Sequence, residues 1–65
     1  MDKADNLKSL IAENGLKLGF VAKKLGIRYE VLWAKLKGKS KFNLDEVKIL
    51  VDMLKIPSDK IFNFF

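Results

Sequence analysis

Apolar residues recur along this chain in short bursts at spacings of three and four, and each burst is closed by a glycine or a proline. Leu7, Leu10 and Ile11 mark a first amphipathic helix, with Asp2 or Asp5 as its N-cap and Gly15, directly after Asn14, as its stop. Leu18, Val21, Ala22 and Leu25 mark a second, ended by Gly26, because glycine takes the left-handed conformation that a tight helix exit requires. Val31, Leu32 and Leu36 form the apolar stripe of a third, which stops before Gly38. Lys37 to Phe42 has no period and reads as a basic loop anchored by Phe42. Asn43-Leu44-Asp45-Glu46 then sets a capping side chain three residues ahead of a glutamate, the pattern that satisfies two orphan amides reciprocally. The fourth helix runs from there through Val47, Leu50, Val51 and Leu54 and ends before Pro57, whose predecessor is pushed out of helical geometry. Ser58 caps a short fifth helix that ends in Phe62-Asn63-Phe64-Phe65. Nothing has strand period, repeats or reads as a linker, so residues 1–65 are expected to form one all-α domain of five short helices.

The stretch Val21-Ala22-Lys23-Lys24-Leu25-Gly26-Ile27, with Leu32 following, carries a tighter constraint. Two helices that meet steeply across a short turn need a small residue at their approach, a glycine in the turn and aliphatic side chains inside. Ala22, Gly26 and the set Val21, Leu25, Ile27 and Leu32 stand where those demands fall. The pattern predicts a helix-turn-helix, and any short helical hairpin would share its bare outline.

Charge changes the picture more than composition does. The net charge of +5 is unevenly spread: residues 1–16 carry −1, residues 42–65 carry −1, and residues 17–41 carry +7, with Glu30 the one acid among eight cations. A field concentrated in this way marks a polyanion partner, although a lysine-rich solvated surface would have the same composition. With 65 residues and no cysteine, neither a disulfide nor a thiolate metal site can supplement the core, and helix packing has to supply the stability. No histidine is present either, so there is no imidazole base or thiol nucleophile, and the carboxylates fall on capping or solvent positions. An enzyme is not expected, and neither is a metal or a cofactor. No apolar run reaches the length of a signal core or a membrane span, which makes the cytoplasm the expected location.

Taken in order, these segments resemble the lambda-repressor-like helix-turn-helix family, in particular small phage and Xre-type regulators of bacteria. Ala22 to Ile27 looks like the family's exit from helix two, and Lys35 to Phe42 like the end of its recognition helix and the following loop. Leu44 to Val47, Leu54 to Pro57, and Ile61 with Phe62 resemble its fourth and fifth helices, the last two at core-closing positions. The resemblance covers nearly the whole chain. It implies a compact five-helix DNA-binding domain in the cytoplasm of a bacterial or phage-infected cell. Helix three, about residues 28–37, would lie in the major groove of double-stranded DNA, and homodimers would read two half-sites. With Leu32 and Leu36 inward, the outward arc of helix three carries Glu30, Trp33, Ala34 and Lys37, flanked by Arg28 and Tyr29, and these six are the candidate base readers. Lys17, Lys23, Lys35, Lys39, Ser40 and Lys41 are the candidate phosphate contacts.

The chain departs from the family pattern where helix two should begin with a hydroxyl cap and a polar residue. Lys17, Leu18, Gly19 and Phe20 stand there, and Arg28 replaces the serine that usually caps helix three. A lysine has no acceptor for the orphan amides and opposes the helix dipole. Leu18, Phe20, Tyr29 and Trp33 together would make an apolar patch on the same face, which suits a protein partner, as an anti-repressor or inhibitor would need. Phe20 folded into the core and Trp33 lying over a neighbouring side chain would dissolve that patch. Ile49, Met53, Phe64 and Phe65 are left for a homodimer seam or for core packing.

Overall fold

The computed structural model describes residues 3–65. It contains α1 (Lys3–Glu13), α2 (Leu18–Leu25), α3 (Tyr29–Leu36), α4 (Leu44–Leu54) and a C-terminal 3-10 helix (Ser58–Asn63), with no strand among the described residues. Each α-helix buries a pair of apolar side chains four residues apart: Leu7 and Ile11, Val21 and Leu25, Leu32 and Leu36, Leu50 and Leu54. Residues at that spacing lie one above the other on a helix face, so each helix presents one narrow ridge to a common centre. Ala22 and Ile56 complete the buried set. The third helix packs against both α1 and α2, and α4 against α2. Leu32 therefore sits where three helices meet and has no exposed surface. Val31, expected on this stripe, is exposed instead: it lies about 100° round the helix from Leu32, and no neighbouring element covers that side. No helix among the described residues is long and apolar enough to cross a membrane.

The helix ends follow local chemistry. Gly26 adopts φ 71°, where its amide bonds to the Lys23 carbonyl and the Ile27 amide to the Ala22 carbonyl, both at 3.1 Å. This pair of reversed bonds satisfies two of the last carbonyls of α2 and turns the half-buried Ile27 onto the core. The exits of α1 at Gly15 and α3 at Gly38 repeat it. At the end of α4 the left-handed position is held by Lys55, at φ 55°, so that Ile56 can enter the core. Asn43 and Glu46 form the expected reciprocal capping box. Lys17 and Arg28 precede α2 and α3 in extended conformation and, as their chemistry requires, give no side-chain cap. Asp5 lies inside the first turn of α1, while Asp2 falls outside the described residues.

The C-terminus differs from expectation. Ser58 does not cap: Pro57 occupies that position, and the segment winds as a 3-10 helix. With three residues per turn, Ile61 and Phe64 share one face and Phe62 is rotated away from it. Ile61, Phe64 and Phe65 pack against the core, Phe65 meeting Phe42 edge to face at 5.7 Å, and Phe62 is 80% exposed. The core-closing role expected for Ile61 and Phe62 thus passes to Ile61, Phe64 and Phe65. Met53 also packs inward, which leaves Ile49 as the one clearly exposed member of the expected dimer seam.

Two backbone positions set testable limits on stability. Lys55→Gly should stabilise the fold by about 1 kcal/mol, because a side chain in left-handed geometry is strained and glycine is not. Gly19→Ala should add up to about 1 kcal/mol, since a Cβ there meets nothing within 4 Å and alanine is the better helix former. Thermal melts of the two variants check both, with each kcal/mol worth roughly 4–8 °C in a domain of this size.

Candidate nucleic-acid interface

Gly26, Ile27 and Arg28 are the whole connection between α2 and α3. Because Ile27 is drawn inward and Leu32 and Leu36 hold α3 against the core, the opposite arc of α3 must face out. Tyr29, Glu30, Trp33, Ala34 and Lys37 line one shallow groove there, together with Lys39 from the following loop. Five of the six predicted base readers are thereby brought together. Arg28, exposed at the start of α3, is the sixth and does not line the groove. Tyr29 and Glu30 are exposed, while Ala34 and Trp33 are half-buried. The Tyr29 and Trp33 rings meet edge to face at 6.2 Å, and the ammonium groups of Lys8 and Lys37 lie 5.0 and 5.5 Å from the centre of the indole.

Lys17, Lys23, Lys39, Ser40 and Lys41 are all exposed, and of these Lys39 lines the groove itself. Lys35 is not among them. Its side chain is 12% exposed, and its ammonium donates to Glu46 Oε1 at 3.0 Å and to the Lys41 carbonyl at 2.9 Å. The reason is position: Lys35 directly precedes the buried Leu36, on the edge of α3 that turns toward α4. Lys35, expected at a phosphate from its charge, is instead engaged inside the fold. Glu46 is buried and also accepts the Asn43 amide at 2.9 Å. Burial pushes its carboxyl pKa up, but the Asn43 amide and the hydrogen bond and charge of Lys35 together outweigh that and hold it below its ordinary value.

The suspected apolar patch separates into different environments. Leu18 packs against the core, Phe20 stands 44% exposed with the Lys24 ammonium 5.4 Å from its ring centre, and Tyr29 is 46% exposed. Phe20 does not fold into the core, and Trp33 is covered by lysines. Lys8, on α1, was not among the sequence candidates. Its place beside Trp33 depends on how α1 docks onto α3, and no local pattern reports that. Among the described residues no three Asp, Glu, His or Cys side chains converge as metal ligands would. Comparison with protein-family models, curated proteins and solved structures returns no match to this chain.

The Lys35–Glu46 pair has a defined pH signature. Since the folded carboxyl has the lowered pKa, its contribution is complete above the unfolded value and is lost as pH falls through the folded one. Glu46→Gln should cost about 2 kcal/mol at neutral pH, a typical worth for a hydrogen bond to a charged group. It should also lessen the loss of stability on acidification. Urea melts of both proteins across the carboxylate pH range check the sign and the size.

Proposed function

We propose that this chain binds double-stranded DNA sequence-specifically, as a small transcriptional regulator of the lambda-repressor-like helix-turn-helix kind, with α3 in the major groove. One observation carries the reading: the groove along α3 lies across a three-residue turn from α2 and is lined by Lys37 and Lys39, which have no carboxylate partner among the described residues. Among the described residues the ion pair found is Lys35–Glu46, inside the fold, so the cations of the face remain free for an external anion. Both helix starts beside the turn support the same partner. A cation at the N-cap of α2 and of α3 leaves first-turn amides uncapped and opposes the helix dipole, an arrangement that a bound phosphate relieves. An eight-residue helix is about 12 Å long, close to the width of the major groove.

In this reading Arg28 takes a guanine edge, Glu30 accepts from a cytosine amine, and Ala34 meets a thymine methyl. Lys17, Lys23, Lys39 and Lys41, with Ser40, contact phosphates and fix register. A homodimer in this reading meets along Leu44 and Phe62, 69% and 80% exposed and lining one apolar groove. A second reading rests on Phe20 and Tyr29, whose exposed rings suit a protein that presents an acidic, DNA-like surface.

An unbiased selection from random duplexes with the purified protein separates the two. An enriched motif that Arg28→Ala abolishes at one position is the expected result, with affinity falling in salt at a log–log slope of about −3 to −4 for four phosphate contacts. No enrichment at low salt would give the case to the protein partner. Sedimentation at high micromolar concentration should show a dimer, and a monomer there removes the Leu44 and Phe62 seam.

A further inference from the structure

Trp33 is the one tryptophan of the chain, and it stands half-buried where two lysines from different elements converge. Lys8 reaches it from α1 and Lys37 from the end of α3, with ammonium groups 5.0 and 5.5 Å from the ring centre. The negative face of the indole attracts each of them. The two distances put the ammonium groups at most about 10.5 Å apart, on the order of the screening length at 0.1 M salt. Among the described residues neither is in an ion pair: Glu30 lines the same groove but does not bridge to Lys37, and the carboxylate of Glu46 is taken by Lys35. Two ammonium groups held at one ring, with no counter-charge among the described residues, leave a pair of positive charges open to an external anion.

We infer that Lys8 and Lys37, held on Trp33, clamp a single backbone phosphate of the bound DNA. The inference rests on the DNA-binding reading and extends the contact surface to α1. It also changes the part given to Trp33: with lysines at its ring, the indole is a positioning residue for two phosphate contacts and not a reader of bases. Tyr29, edge-on at 6.2 Å, limits how far the ring can turn.

The test is fluorescence anisotropy of a labelled duplex titrated with the full chain at several salt concentrations. Lys8→Ala should weaken binding roughly 5–10-fold at 0.1 M salt and reduce the magnitude of the log–log slope by about 0.9, on all sequences alike. Lys60→Ala, on the 3-10 helix, should change affinity less than about twofold. Trp33→Phe keeps an aromatic face and should preserve the Lys8 effect, whereas in Trp33→Leu the further change Lys8→Ala should matter less than about twofold. If Trp33→Leu does not fold, Lys8→Ala and Trp33→Phe still decide the question. Trp33 emission gives a second readout. It should shift on adding duplex and stay unchanged with inorganic phosphate up to millimolar concentration, and a saturable response to micromolar phosphate would assign the site to a free anion and overturn the clamp. Wild-type binding with an unaltered Kd and slope in Lys8→Ala overturns the clamp while leaving DNA binding intact. Failure of the wild type to bind any duplex at low salt overturns the DNA reading, and the clamp with it.

Discussion

The placing of the basic loop between α3 and α4 hangs on one carboxylate. Glu46 Oε1 accepts from the Asn43 amide and from the Lys35 ammonium, so a single oxygen starts α4 and fastens it to the last turn of α3. Lys35 also donates to the Lys41 carbonyl, which pins the far side of the connecting loop. The loop that carries Lys39, Ser40 and Lys41 is held at both ends by this network and keeps a fixed position beside α3. A buried carboxylate is costly unless it is paired and hydrogen-bonded, and here Oε1 has two donors, one of them the Lys35 cation. Lys35 gives up its own availability as a surface cation and in exchange fixes where its neighbours stand.

The second organising feature is the pairing of lysines with rings. Phe20 with Lys24, Trp33 with Lys8 and Lys37, and Phe42 with Lys35 each bring an ammonium within 6 Å of an aromatic centre. Such contacts are individually worth about 0.5–1 kcal/mol at exposed sites, but their main consequence is chemical. Lys8, Lys24 and Lys37 are exposed, so their charges stay at the surface beside the rings, whereas the Lys35 ammonium is engaged inside the fold. A face rich in aromatic residues thereby remains a positive one, which reconciles Phe20, Tyr29 and Trp33 with a polyanion partner.

Local chemistry made much of this fold legible beforehand. The left-handed exits at Gly15, Gly26 and Gly38, the Asn43 and Glu46 capping box, and the stop before Pro57 depend on a few neighbouring residues, and each stands where the pattern put it. The outward arc of α3 followed from Leu32 and Leu36 alone, which is why five of its side chains gather in one groove. The failures share a cause. Hydrophobicity points Val31 inward, the motif points Phe62 inward and charge points Lys35 outward, yet burial is set by which neighbouring element lies on that side. The place of Lys8 beside Trp33 has the same origin.

From the sequence alone came the helical periods, the chain reversals and the concentration of +7 in residues 17–41, because these are properties of short segments and of composition. Only the tertiary structure decided which of those charges face solvent and which ring each lysine meets. It also decided that a 3-10 winding, with its three-residue turn, would send Phe64 inward and Phe62 out. Those outcomes depend on contacts between residues far apart along the chain, as between Lys8 and Trp33 or Phe42 and Phe65, and such contacts exist only once the helices have packed around Leu32.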